Sequence, residues 1–188
     1  DRIMSDRGAA VANAVNWCID NDIQYRCHTY CWEGSKDQGD FYMPSWNKLE
    51  WNSAVLEPTE FRERLEYQVN ILATYMGIYP AQIDVANEIC SRHHTMFTAL
   101  GLDEVSRLFK MARQINPESE LFLTECAIGG NPVNAGKTQD YISYLKYLKS
   151  VGAPIDGAGL QGHTTSPDYP QNWYGQIQRK SKRRNETD

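Results

Sequence analysis

The stretch Ile83-Asp84-Val85-Ala86-Asn87-Glu88 decides how the rest of the chain is read. Ile83, Val85 and Ala86 suit a short strand covered on both faces. The strand stops abruptly on an amide and a carboxylate, and parallel α/β folds place their chemistry at the C-terminal ends of strands. A Glu at that position, beside a hydrogen-bonding Asn, is a candidate general acid or base. The plainer reading is a Glu that caps the next helix or pairs with a surface arginine such as Arg92. The neighbouring segments separate the two.

Upstream, residues 6–20 favour a helix through Ala9, Ala10, Ala12 and Ala14, with Val11, Val15, Cys18 and Ile19 along one face. Asn21-Asp22 ends it, and Ile23 to Trp32 reads as a strand rich in Tyr and Thr. Residues 33–58, with their Gly, Asp and Pro and with Trp46 and Trp51, read as a long loop over the strand ends, a frequent binding element. Thr59 caps a helix that runs to about Met76 and stops at Gly77, with Phe61, Leu65, Val69, Leu72 and Met76 inward. Cys90 to Leu100 reads as a loop. Its His93 and His94 point apart in most backbones and read as solvated histidines rather than a metal pair.

Downstream the pattern repeats. Asp103 caps a helix with Val105, Leu108, Phe109, Ala112 and Ile115 inward, and Asn116-Pro117 ends it. Glu120 to Ile128 is a third strand, followed by a turn at Gly129-Gly130-Asn131-Pro132. Thr138 to Val151 is a helix with Tyr141, Ile142, Leu145 and Leu148 inward, closed by Gly152. Ile155 to His163 is a fourth strand, and residues 171–178 start a further helix around Trp173 and Ile177.

Helix and strand in strict alternation predict an α/β fold with a parallel sheet and right-handed crossovers. Neither Gly-x-Gly-x-x-Gly nor Gly-x-x-x-x-Gly-Lys occurs, which weighs against nucleotide-binding folds. Every strand ends in polar or aromatic groups: His28, Tyr30 and Trp32; Asn87 and Glu88; Thr124 and Glu125; Gln161 and His163. Functional groups spread over successive strand ends mark a (β/α)8 TIM barrel, and four strands make a partial one, about half.

Composition narrows the function class. The chain has 188 residues, 41% hydrophobic and 23% charged, enough for one domain with a core. Its net charge is −5, but Arg179, Lys180, Lys182, Arg183 and Arg184 crowd five of the 19 basic residues into the last ten positions. The remainder holds 14 basic against 22 acidic residues, so nucleic acid is not an expected partner. We read residues 5–178 as the domain and 179–188 as a frayed basic tail. No apolar run approaches the ~20 residues that span a bilayer, so no membrane partner is expected. The opening Asp1-Arg2-Ile3-Met4 shows no signal peptide and looks internal to something longer. Five Cys are an odd number without zinc-like spacing. Cys27 and Cys31 lie ~13 Å apart along a strand, too far for a disulfide, so buried free thiols are expected. Eleven Tyr and five Trp serve the core first, and also provide flat platforms for the apolar faces of sugar rings.

Four segments in order then carry a resemblance. Arg26-Cys27-His28-Thr29-Tyr30-Cys31-Trp32 is similar to the Arg-Gly-His-Thr-Leu-Val-Trp third strand of glycoside hydrolase family 10, the endo-β-1,4-xylanases. Asp84-Val85-Ala86-Asn87-Glu88 resembles the family's Asp-Val-Val-Asn-Glu fourth strand. Leu121-Phe122-Leu123-Thr124-Glu125 resembles its Leu-Phe-x-Asn-Asp/Glu-Tyr fifth strand. Ile155-Asp156-Gly157-Ala158-Gly159-Leu160-Gln161-Gly162-His163 resembles its Ile-Asp-Gly-Ile-Gly-Leu-Gln-x-His sixth strand. The resemblance implies retaining hydrolysis of xylan without a cofactor, no metal, and secretion of the parent protein. It implies Glu88 as the general acid/base and Asn87 on the sugar 2-hydroxyl. His28 and Trp32 would form the site for the sugar being cleaved, with Gln161 and His163 near the nucleophile.

Such a reaction needs two carboxyl groups ~5–5.5 Å apart, one as nucleophile and one as acid and then base. The family nucleophile lies in a Thr-Glu-Leu/Phe-Asp motif on the seventh strand, which does not occur before Asp188. Thr124-Glu125-Cys126 looks like it but belongs by order to the fifth strand, beside the fourth rather than across from it. Glu125 is therefore expected as a binding or supporting carboxylate. Cys126 stands where the family usually has Tyr, and Thr124 where it has Asn. On this reading the fragment alone does not turn over. The alternative is a non-catalytic carbohydrate-binding protein that kept the groove.

Overall fold

The computed structural model describes residues 6–32, 59, 62–63, 65–67, 69–70, 80–90, 95–126, 128 and 135–162. The order of elements is helix α1 (Asp6–Asp20), strand β1 (Arg26–Cys31), strand β2 (Gln82–Asn87), helix α2 (Thr95–Ile115), strand β3 (Glu120–Glu125), helix α3 (Ala135–Ser150) and strand β4 (Gly157–Leu160). The described residues between 59 and 70 are helical. The four strands form one sheet in the order β1-β2-β3-β4, and every pair is parallel. Each strand thus lies beside the one before it, without reversal, as successive units of a (β/α)8 barrel do.

One face of the sheet makes the core. Cys27, Ile83, Val85, Leu121 and Leu123 pack with Leu65 and Val69, with Val105, Leu108, Phe109 and Ala112 of α2, and with Tyr141 and Leu148 of α3. The inward positions expected for α2 are filled as the 3.6-residue period requires, four of them fully buried and Ile115 partly. On β2 both faces are covered, which explains its nearly continuous apolar reading.

The helix ends follow local chemistry. Asp22, in the left-handed region at φ 55°, turns the chain after α1, and Ile23 N–H reaches back to Cys18 O at 2.8 Å. Gly152, at φ 75°, closes α3, with Ala153 N–H on Leu148 O at 2.9 Å. Arg113 in the last turn of α2 donates to Pro117 O and Ser119 O, each at 2.7 Å. It also pairs with Asp156, tying the α2–β3 turn to the approach to β4.

One expectation is corrected. The loop expected over residues 90–100 is helical from Thr95 onward. Gly101, at φ 78° and ψ 171°, interrupts α2 there, so the sequence signal marks a break between two helical pieces and not the start of the first. The apolar face of α1 is largely uncovered: only Val15 is buried, whereas Val11 is 39% and Ile19 48% exposed. The long loop with Trp46 and Trp51, residues 71–76 of the second expected helix, His93 and His94, His163, the helix around Trp173 and the basic tail lie outside the described residues. All five cysteines are free, with Cys27 and Cys31 buried and Cys18, Cys90 and Cys126 half-buried.

Strand β4 sits close to β3 because it carries glycine at alternate positions. A Cβ on Gly157 would lie 2.2 Å from the Phe122 ring, and one on Gly159 would lie 2.1 Å from Thr124 Oγ1. We expect Gly159→Ala to destabilise the fold by about 1–3 kcal/mol through overpacking, read as a lower urea midpoint. An unchanged midpoint would mean that the two strands separate freely at this point.

Candidate active site

The ladder continues past the strand ends and gathers the functional groups at one rim. Asn87 pairs with Thr124 and Thr124 with Gly159. Glu88 N–H donates to Thr124 O at 2.8 Å, and Gln161 N–H to Glu125 O at 3.0 Å. Glu88, Glu125 and Gln161 therefore stand on neighbouring chain segments at the C-terminal edge of the sheet.

Glu88 is held from both sides. Gln161 Nε2 donates to its Oε1 at 2.9 Å, and Trp32 Nε1 donates to its Oε2 at 3.2 Å. The same Gln161 amide donates to Asn87 Oδ1 at 2.9 Å. Glu88 adopts the left-handed region at φ 60°, a conformation costly for a residue with a Cβ and concentrated at functional positions. Asn87 is 1% exposed, and its Nδ2 is buried with no acceptor among the described residues. A buried donor without a partner is uncommon and fits a group whose acceptor arrives with a ligand.

One layer toward the strand N-termini lies a hub that sequence reasoning misses. Asp84 is 2% exposed and accepts from His28 Nδ1 at 2.8 Å, Arg26 Nε at 3.0 Å and the Thr124 hydroxyl. Burial pushes its carboxyl up, but the hydrogen bonds from His28, Arg26 and Thr124 and the Arg26 charge outweigh it and hold the group at about 2. An ionised Asp84 can only accept, so the proton on His28 sits at Nδ1. Arg26 also stacks over the Phe122 ring, 4.5 Å from its centroid. The available signal is a carboxylate inside an apolar strand, with Arg26 and His28 two residues apart on the strand before.

Glu125 differs from its neighbours. It is 0% exposed, and its oxygens are taken up internally. Oε1 meets Lys137 Nζ at 2.7 Å and Cys126 N–H at 3.0 Å, and Oε2 accepts Cys90 N–H at 2.8 Å. Lys137 Nζ also lies 3.2 Å from Cys126 Sγ. The Glu125 carboxylate thus meets Lys137 and backbone N–H groups among the described residues. Trp32, Asn87, Glu88 and Gln161 thus come together, and His28 is held on Asp84 in the layer below. No group of three or more His, Cys, Asp or Glu side chains among the described residues is arranged to hold a metal ion.

An all-parallel sheet in sequential order, with its functional side chains gathered at the C-terminal rim, is the arrangement of successive units of a (β/α)8 barrel. Residues 8–185 match the model described as Glycosyl hydrolase family 10, and the chain belongs to that family. Over 155 residues it is 35% identical to "Endo-1,4-beta-xylanase 2" of Arabidopsis thaliana, covering 81% of this chain and 13% of the relative. It is 28% identical to "Endo-1,4-beta-xylanase 1" of Humicola insolens, covering 79% of this chain and 33% of the relative. Among solved structures, xylanase 10B of Thermotoga petrophila RKU-1 in complex with xylobiose superposes with a TM-score of 0.64 at 20% identity. That match covers 89% of this chain and 49% of the other. Native xylanase 10B of Thermotoga maritima gives 0.61 at 22% identity, covering 80% and 44%. These likenesses establish the fold as part of a (β/α)8 barrel. The chain spans a third or less of these curated relatives and about half of these structural ones.

Proposed function

We propose that this chain is the central part of a retaining endo-β-1,4-xylanase and that Glu88 is its general acid/base. The observation that carries the reading is the brace on Glu88 at the strand rim, with Trp32 and Gln161 on its two oxygens and the buried, unmatched Asn87 amide beside it. A sugar 2-hydroxyl next to the scissile bond supplies the acceptor that Asn87 Nδ2 does not find among the described residues, and such a contact strengthens as the transition state forms. Glu88 protonates the bridging oxygen as the C–O bond breaks, then takes a proton from the water that attacks the glycosyl-enzyme. His28, oriented by Asp84, and Trp32 border the cleaved sugar, with Gln161 and His163 on the nucleophile side. The nucleophilic carboxylate comes from outside the described residues, because Glu125 at the same rim is fully buried and paired. The substrate polymer lies outside the cell, and we place the parent protein there. No helix among the described residues is long and apolar enough to cross a membrane.

Proton NMR of xylo-oligosaccharide cleavage by the parent protein tests the reading. The first-formed reducing ends are expected in the β configuration, while residues 1–188 alone do not turn over. Initial α products would refute retention. Hydrolysis of xylan by residues 1–188, as fast with Glu88→Gln as without it, would refute both the role of Glu88 and the need for an outside nucleophile.

A further inference from the structure

We infer that Lys137 is a positioning residue for Glu88, acting through the buried Glu125 carboxylate; the inference rests on the acid/base role of Glu88. Glu88 sits at a left-handed turn, and the next residues along the chain must hold that turn. Two positions on, Cys90 N–H donates to Glu125 Oε2 at 2.8 Å. The other oxygen of the same carboxylate accepts Cys126 N–H at 3.0 Å and meets Lys137 Nζ at 2.7 Å. One carboxylate thus clips the turn after β2 to the end of β3. A carboxylate with no solvent exposure stays ionised only beside a compensating charge. Lys137, on the first turn of α3, supplies it, and its ammonium is favoured because the bonds to Glu125 and Cys126 outweigh the burial that opposes it. Helix α3 therefore reaches the acid/base through a charge-assisted clip. Neither Lys137 nor Glu125 touches substrate.

The test uses the parent protein with Lys137→Met, Lys137→Arg, and the double variant Lys137→Met/Glu125→Leu. The double variant removes both charges, so neither is left buried without its partner. Each is assayed on xylan, whose leaving group needs a proton, and on a dinitrophenyl xylobioside, whose leaving group does not. For Lys137→Met and the double variant, kcat/KM on xylan is expected to fall at least tenfold more than on the aryl glycoside. Cys90 amide exchange is expected to rise at least tenfold, reporting the opened clip. Lys137→Arg restores most of both.

A folded double variant that keeps the wild-type ratio between the two substrates overturns the inference, as does one that loses both activities equally. Glu88→Gln distinguishes failure of the positioning role from failure of the acid/base role. If it lacks the leaving-group dependence, the acid/base reading itself has failed. If it shows that dependence and the Lys137 variants do not, only the positioning role has failed.

Discussion

Glu88→Gln in the parent protein lowers kcat/KM on xylan by about 10²–10⁴-fold, the usual worth of a positioned general acid. An amide cannot deliver a proton to the bridging oxygen as it departs. On a dinitrophenyl xylobioside kcat/KM changes little, because that leaving group departs as a stable anion without protonation. Turnover on the same substrate slows, because water must now attack the glycosyl-enzyme without a base. Added azide, which needs no base, restores turnover and yields a β-glycosyl azide. The amide introduced by Glu88→Gln retains an oxygen for one of the two donors, Gln161 or Trp32, so the variant's melting temperature stays close to wild type. An equal loss on both substrates, or no azide product, would remove Glu88 from the acid/base role.

Asp84→Asn is expected to destabilise the protein by on the order of 2–4 kcal/mol near neutral pH. Its carboxylate gathers Arg26, His28 and Thr124, and an amide presents a donor where one of them needs an acceptor. The pH dependence gives the prediction its sign. The folded carboxyl sits at about 2, below its ordinary 3.8, so the folded state binds protons less readily than the unfolded chain. The group's contribution, about 2 kcal/mol, is complete above about pH 4 and is lost as pH falls through about 2. The stability gap between wild type and Asp84→Asn, followed by urea unfolding, should narrow over that window and stay flat from about pH 5 to 8. A gap that is constant down to about pH 2 would show that Asp84 is no better solvated by its partners than by water.

Most of the scaffold is legible in the chain because burial writes a period into it. The run Val105, Leu108, Phe109, Ala112 marks the inner face of α2, and all four are fully buried. Alternating strand and helix specify a parallel sheet, and the strands are parallel in sequential order. The misreading falls where that signal has two meanings. Residues 95–100 read as loop because Gly101 punctuates a helix as readily as it ends one. On α1, Val15 is buried while Val11 and Ile19 stay exposed, since periodicity marks an apolar face and not how much of it is covered.

The sequence by itself determined the class of fold, the family and the residues at the strand ends, because strand alternation, helix period and four ordered motifs are local records. It left open which groups touch. Only the tertiary structure decided that Asp84 binds His28 and Arg26, that Gln161 spans Asn87 and Glu88, and that Glu125 is buried against Lys137. These pairings join residues far apart in the chain, set by sheet register and by where α3 lands. A buried carboxylate is tolerated only where that packing brings it a cation.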